Sequence, residues 1–357
     1  MYHFDTSEGP GVVVLACAAI ISLLSICIFF LYKRLRLQNF GNAYINGYFM
    51  TLLAANFIQA FGTVMNFRWA QLGRTEDGFY CMAQGGIKNA GNVATALWSF
   101  GLAMHLFTLL FLRIRACAFS FWGSLLAGWG LVLFIVCIGP IAIEKPGSPY
   151  FGVSGAWCWI TDDYPLEQIY LEYFLEYLSA ALCMILYTAI ILRMRGNLLR
   201  EEGRWCIRSL PSDEESWQLS LRRDLVDYTM LEAIQRMVWY PLAYTVMLIP
   251  ITITRLTSFA GGDVPFWAIV IADVVFNLTG FVNVMIFLAM RRFFPDPRTL
   301  PELAMARPDV RKSLFKAGGI SPFTLERSDD AEKFDVERLA RSQTPDVMVS
   351  LPALAKE

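Results

Sequence analysis

Long apolar runs alternate with short polar segments along this chain of 357 residues. A helix needs about 20 mostly apolar residues to cross the roughly 30 Å hydrocarbon layer of a membrane. Runs of this length occur at residues 11–32, 43–67, 79–112, 121–143, 167–192, 235–259 and 264–290. The first and fourth runs contain no Asp, Glu, Lys or Arg. The pattern predicts an all-α membrane protein, a seven-transmembrane helix bundle.

Composition and charge agree with this prediction and orient the bundle. The chain is 56% hydrophobic and only 17% charged, which is too apolar for an ordinary water-soluble protein of this size. Lys and Arg cluster in the gaps after the first, third, fifth and seventh runs, and basic residues are retained on the cytoplasmic side during insertion. We therefore expect the N-terminus outside, the C-terminus inside, and a multi-pass protein.

We expect little of the chain on the extracellular side and two substantial segments on the cytoplasmic side. Residues 1–10 form a short extracellular N-terminus, and residues 11–294 form the seven-span bundle, in which residues 196–234 are a cytoplasmic loop. From residue 295 to residue 357 the composition changes to mixed charge with Pro and Ser. Such a segment cannot bury enough apolar surface to fold by itself, so we expect a largely disordered cytoplasmic tail.

The eight cysteines divide by the predicted topology. Four lie within apolar runs and two lie in the reducing cytosol. Cys81, at the outer start of the third run, and Cys158, in the loop after the fourth, face an oxidising compartment, where disulfides persist. We predict that these two cysteines form a disulfide; the alternative is a pair of free buried thiols.

Polar side chains within the runs indicate a functional crevice, because ionisable groups inside a membrane usually face the bundle interior. They recur at helical spacing in the third, fifth and seventh runs, and the two tryptophans beside Cys158 can cap them like a lid. The predicted crevice residues are Lys88, Asn92, Thr95, Ser99, Tyr173, Glu172, Glu176, Asp273, Asn277, Trp157 and Trp159.

Two interpretations of the crevice stay open. In the first, the crevice opens to the outside and Lys88 binds an anionic group of a small ligand, with acids of the fifth and seventh runs as counterions. In the second, Lys88 forms an ion pair with one of those acids and fastens helices together, and the asparagines hydrogen-bond between helices.

The cytoplasmic ends of the runs carry features of a docking cleft. Two prolines in the sixth run, Pro241 and Pro250, each remove a backbone hydrogen bond and make that helix a candidate hinge. Arginines surround it, and those predicted to face a partner are Arg113, Arg115, Arg193, Arg195 and Arg236. Retention of basic residues inside would produce the same cluster without any docking function.

Several chemistries find no support. The seventh run lacks the lysine that a retinal Schiff base needs, and with only two histidines the chain lacks the clustered ligands of a membrane zinc hydrolase. No nucleophile motif or phosphate-binding glycine loop occurs. We expect no enzyme activity, no metal, no cofactor and no nucleic-acid partner.

Three motifs resemble G-protein-coupled receptors of the cyclic-AMP-receptor-like family, which occurs in slime moulds, plants and fungi. They are AWCWI at residues 156–160, RMVWYPLAY at residues 236–244, which is also similar to fungal glucose-sensing receptors, and GFVN at residues 280–283. The Asp-Arg-Tyr triplet that ends the third span of rhodopsin-like receptors is missing, which sets this chain apart from that group.

The resemblance implies a plasma-membrane receptor that binds a small extracellular ligand between spans 3, 5, 6 and 7 and activates the Gα subunit of a heterotrimeric G protein. The pathway implied is cyclic-AMP or nutrient signalling, in fungi among other sources. Membrane lipid is a further partner, and a homodimer stays open. The alternative is a small-solute transporter that uses the same polar stripes; a sugar-sensing receptor with an uncharged ligand is the third hypothesis.

Overall fold

The computed structural model describes residues 1–6, 8–36, 43–112, 114, 117–194, 198–201, 204–207 and 239–293. The predicted tail at 295–357 and most of the predicted cytoplasmic loop at 196–234 lie outside these residues. A helix overlaps most of each of the seven predicted runs, and the all-α membrane bundle is confirmed.

We number the helices that occupy the seven runs as spans 1 to 7. They are Glu8–Arg36, Ala43–Val64, Phe79–Phe107, Ala118–Ile138, Phe174–Met194, Trp239–Phe259 and, as two helices, Phe266–Asn277 with Thr279–Phe293. Span 2 is followed by a short helix, Asn66–Leu72. Another short helix, Pro165–Gln168, precedes span 5. Three π-helical turns adjoin spans 3, 4 and 5, at Thr108–Leu112, Gly139–Ile143 and Ile169–Tyr173.

Short antiparallel strand pairs join the helices, and the sequence analysis did not predict them. The pairs are β1 (Tyr2–His3) with β2 (Arg74–Thr75), β3 (Phe151–Ser154) with β4 (Trp157–Ile160), and β5 (Leu198–Glu201) with β6 (Arg204–Ile207). The β3–β4 hairpin turns at Gly155, whose φ of 66° is one that glycine adopts readily. Two short runs with β-branched or aromatic residues, separated by a Gly-containing dipeptide, are a hairpin signal.

Span 3 is the central helix of the bundle. It contacts spans 2, 4, 5 and 6 and both strands of the β3–β4 hairpin. Six helices in the described part of the chain are long and apolar enough to cross a membrane, and span 3 is not among them. Its first half carries the buried polar residues Gln84, Lys88 and Asn89. A helix surrounded by protein can carry polar groups that lipid would exclude.

Spans 2 and 3 pack closely because Gly91 has no side chain. A Cβ at Gly91 would lie 2.4 Å from the backbone N and Cα of Gln59. Small residues allow this kind of close helix approach inside membranes. By contrast, span 4 lies at the edge of the bundle: 17% of the most apolar 18-residue stretch of Ala118–Ile143 is buried, against 61% of that of Tyr44–Leu72. Its position against lipid accounts for its lack of charge.

Span 7 is interrupted at Leu278, whereas the sequence predicted one continuous helix. Asn277 Nδ2 donates to the backbone oxygen of Asp273 at 2.8 Å, and Thr279 Oγ1 donates to that of Phe276 at 2.5 Å. Side-chain donors that bind backbone oxygens compete with helical hydrogen bonds and bend helices. Span 6 differs, since it stays helical across Pro250.

Candidate ligand site

The predicted disulfide between Cys81 and Cys158 is confirmed. It joins the first turn of span 3 to strand β4 with a Cα–Cα distance of 5.2 Å, which lies in the normal range for a disulfide. Both cysteines are fully buried and pack against Trp69. We call this end of the bundle the disulfide end.

The β3–β4 hairpin lies over the disulfide end of span 3. A Cβ at Gly85 would lie 3.0 Å from the Cβ of Phe151 and 3.3 Å from the backbone oxygen of Trp159, so the hairpin rests directly on the helix. The side chains of Trp157 and Trp159 are both buried. The hairpin therefore covers this end of span 3, and we call it the lid.

A polar cavity lies beneath this lid. It is about 20 Å³ in volume and is lined by Thr63, Lys88, Asn92, Trp157, Trp159, Glu172, Tyr173, Ile251, Arg255, Asp273, Phe276 and Asn277. A cavity of this volume holds about one water molecule. Spans 2, 3, 6 and 7 and the π-helical turn before span 5 all contribute to its wall. A ligand larger than water requires side chains to move.

Glu172 is the hydrogen-bond centre of the site. Its carboxyl oxygens accept from Asn89 Nδ2 at 2.6 Å, from Asn92 Nδ2 at 2.7 Å and from Trp159 Nε1 at 2.7 Å. Three donors from span 3 and the lid thus meet one acid at the start of span 5. The sequence pattern predicts Glu172 as a counterion for Lys88 and does not place Asn89, one position from Lys88, in the crevice.

Lys88 is buried, with 9% of its surface exposed, and its Nζ lies 5.1 Å from the ring centre of Trp157. Within the described residues it forms no ion pair within 4.0 Å and no hydrogen bond. The ion-pair interpretation of Lys88 is therefore not what the structure shows. A lysine whose ammonium rests on an aromatic ring keeps its hydrogen-bonding capacity for another group.

Arg255 is a second cation in the cavity wall, and the sequence analysis did not place it there. Its guanidinium carbon lies 5.3 Å from the ring centre of Trp159 and 5.6 Å from that of Tyr173. The Nε atom is buried without a hydrogen-bond partner. Arg255 lies about one turn before the end of span 6 at residue 259, where the sequence alone does not distinguish a flanking charge from one that enters the bundle.

Asp273 and Asn277 bring span 7 into the same wall, as predicted from their spacing. Both side chains are 6% exposed. Asn277 Oδ1 has no partner in the described structure, and the carboxylate of Asp273 forms neither an ion pair nor a hydrogen bond there. Both acceptors remain available to a bound molecule.

Three predicted crevice residues lie outside the cavity wall. Thr95 Oγ1 donates to Gln59 Oε1 at 3.3 Å between spans 2 and 3. Ser99 and Glu176 are buried, and neither the Ser99 hydroxyl nor either Glu176 carboxyl oxygen has a partner among the described residues. In the same part of the chain no group of three His, Cys, Asp or Glu residues could hold a metal ion.

At the opposite end of the bundle, Arg193 contacts the end of span 3. Its guanidinium donates to the backbone oxygen of Phe111 and lies 5.2 Å from that residue's ring centre. The other arginines predicted to face a G protein, Arg113, Arg115, Arg195 and Arg236, lie outside the described residues.

A crystal structure of squid rhodopsin matches this architecture with a TM-score of 0.60 over 99% of this chain and 94% of the rhodopsin chain, at 13% sequence identity. The chain has the fold of rhodopsin. Human G-protein coupled receptor 157 is 25% identical over 115 residues, which is 31% of this chain and 34% of that receptor. The chain thus matches about a third of the length of this curated relative. No family model matches the chain.

The rhodopsin fold supports part of what the motifs implied. A seven-helix, multi-pass membrane bundle agrees with the fold shared with squid rhodopsin. Neither comparison points to the cyclic-AMP-receptor-like family in particular or to a fungal source.

Proposed function

We propose that this protein is a G-protein-coupled receptor of the plasma membrane that senses a small extracellular ligand and activates a heterotrimeric G protein in a cyclic-AMP or nutrient pathway. The observation that carries the proposal is the rhodopsin fold along nearly the whole chain. Partial similarity to human G-protein coupled receptor 157 supports it. In this proposal the disulfide end faces the outside.

The cavity offers a physical route from ligand to helix movement. Arg255 is the charged residue that span 6 contributes to the wall, and its guanidinium rests on rings of the lid and of span 5. A ligand that draws Arg255 away from those rings changes the contacts of span 6. A ligand shifts an equilibrium only by binding one state better than the other, and this difference in Arg255 contacts supplies such a preference.

Span 6 carries the proposed change to the other end. Pro250 lies within the helix and leaves the backbone oxygen four residues before it without its usual donor, which is where a helix bends most easily. Near the cytoplasmic end, the Arg193 contact with Phe111 holds spans 3 and 5 together. We propose that this contact favours the inactive arrangement and that the carboxyl-terminal helix of Gα docks beside it.

Guanine-nucleotide exchange on purified Gα proteins, with the full chain reconstituted in vesicles, tests the proposal. We expect exchange above that of empty vesicles, and a higher basal rate for Arg193→Ala, which lacks the Phe111 contact. Arg74 at the other end, whose half-exposed side chain pairs with Glu76, provides an Arg→Ala control. If neither the wild-type protein nor Arg193→Ala accelerates exchange on any Gα of its source organism, the receptor proposal is wrong.

A further inference from the structure

We infer that the cavity binds a small zwitterion of the α-amino-acid type, with its carboxylate between Lys88 and Arg255 and its ammonium group on Asp273. The inference deepens the proposed receptor function and rests on it. Four charged side chains line the cavity, and Glu172 is the fourth. The other three side chains have unused capacity for ion pairs and hydrogen bonds, and the signs of their charges indicate which ligand fits.

The unused groups are of both signs. Lys88 and Arg255 rest on aromatic rings and not on a carboxylate, and the carboxylate of Asp273 has no hydrogen bond or ion pair within the described part of the chain. Glu172 differs, since three N–H groups already occupy its oxygens. Among the described residues, a bound molecule therefore meets two cations that lack a carboxylate partner and one carboxylate that lacks a donor.

Charge balance selects the zwitterion. Two basic and two acidic side chains make the wall neutral as a set. A ligand with a net charge would add an uncompensated charge to a buried site inside the membrane, which is costly. A sugar adds no charge but leaves both cations without an ionic partner. A zwitterion keeps the sum at zero and gives each end an opposite charge.

The two cations suit a carboxylate in particular. The guanidinium of Arg presents parallel donors that match the two oxygens of a carboxylate, and Lys adds a point charge on a flexible stem. Both would exchange a cation–π contact for a charge-assisted hydrogen bond. With only about 20 Å³ free, the ligand must be small, and the flexible stem of Lys88 must shift to admit it.

Thermal melting of the purified full chain, in nanodiscs made only of phosphatidylglycerol, tests the inference. This lipid is anionic, so no zwitterionic headgroup competes. The probes are the common α-amino acids, each with its N-acetyl derivative, which lacks the ammonium, and its amide, which lacks the carboxylate; glucose and phosphoethanolamine complete the set. We expect at least one amino acid to raise the melting temperature, with both blocked forms at least tenfold weaker.

Variants assign the two ends of the ligand. Lys88→Gln and Arg255→Gln should each weaken the amino acid at least tenfold while leaving the amide nearly unchanged. Asp273→Asn should weaken the amino acid but not the N-acetyl form. The exposed Lys145 and Asp263 provide matched controls, Lys145→Gln and Asp263→Asn, that should bind as wild type.

Conservative variants distinguish the loss of a charge from misfolding of the protein. Lys88→Arg and Arg255→Lys keep the charge and should retain most of the affinity, so loss of binding only in the Gln variants reports charge and not collapse. Equal binding of an N-acetyl derivative or of glucose would overturn the inference, and so would a panel in which no amino acid binds. Binding of phosphoethanolamine alone would mean that the site recognises a lipid headgroup, and would also overturn the inference.

This assay uses the receptor without a G protein, so its outcome is independent of the exchange assay. Amino-acid binding without nucleotide exchange would leave the ligand assignment standing and refute the receptor proposal. Nucleotide exchange without amino-acid binding would support the receptor proposal and refute the ligand assignment.

Discussion

Removing the Glu172 carboxylate should destabilise the bundle more than any other single loss in the cavity wall. Glu172 is 1% exposed, and its two oxygens accept from Asn89, Asn92 and Trp159. Glu172→Ala leaves three buried N–H groups without an acceptor. Each of those donors then bears the cost of a buried polar group without a hydrogen bond.

The magnitude follows from those three bonds. A side-chain hydrogen bond between membrane helices is worth about 0.6–2 kcal/mol, and a bond to a charged group is at the upper end of such ranges. Three of them give a loss of about 2–6 kcal/mol for Glu172→Ala. Glu172→Gln should cost less, about 1–2 kcal/mol, because its remaining oxygen serves two donors and the Asn92 amide can turn its own oxygen toward the new NH₂ group.

Unfolding in mixed micelles, titrated with a denaturing detergent and followed by helix circular dichroism, gives the free energy of unfolding. Glu167→Ala is the matched control, because Glu167 lies five residues away on the adjoining short helix, is only partly buried and forms no hydrogen bond within the described structure. Trp159→Phe should lower the free energy of unfolding less in the Glu172→Ala protein than in the wild type, because the acceptor of its N–H group is already gone.

Two results would refute this reasoning. One is a Glu172→Ala protein whose unfolding free energy lies within about 0.5 kcal/mol of the Glu167→Ala control, the range typical of surface changes. The other is full additivity with Trp159→Phe. Either result would mean that the three donors find other acceptors and that Glu172 does not fasten the lid to spans 3 and 5.

Three further predictions concern the frame around the site. Cys81→Ser should lower the free energy of unfolding by about 2–5 kcal/mol, and adding Cys158→Ser should lower it little further. Additive losses in the double variant would contradict the pairing. Gly91→Ala should cost about 1–3 kcal/mol by overpacking, and unchanged unfolding would contradict the close approach of spans 2 and 3. The hydrogen bond that Tyr2 donates to Glu8 raises the pKa of Tyr2 to about 12. The proton is held more tightly in the folded state, so its stabilising effect is complete below about pH 10 and is lost as pH rises toward 12. The phenolate absorbance difference between wild type and Tyr2→Phe measures it, and a Tyr2 transition near pH 10 would contradict it.

Much of the fold follows from the sequence because a membrane imposes one strong condition. Every backbone polar group in lipid must be bonded within its own segment, so a long apolar run has little choice but to be a helix. The oxidising side of the membrane leaves Cys81 and Cys158 as the pair that can bridge. These constraints act on runs of residues or on compartments, and a linear pattern is enough to reveal them.

The partners of each polar side chain were decided by tertiary structure. Helical spacing placed Lys88 and Asn92 on one face, but whether Lys88 meets an acid or a tryptophan depends on how spans 3 and 5 rotate and on where the hairpin rests. Arg255 entered the cavity for the same reason. The sequence by itself determined the seven apolar spans and the bridge between two cysteines. Only the packing of those helices decided which charges stay free, because the rotation of a helix is set by contacts with its neighbours and not by its own composition.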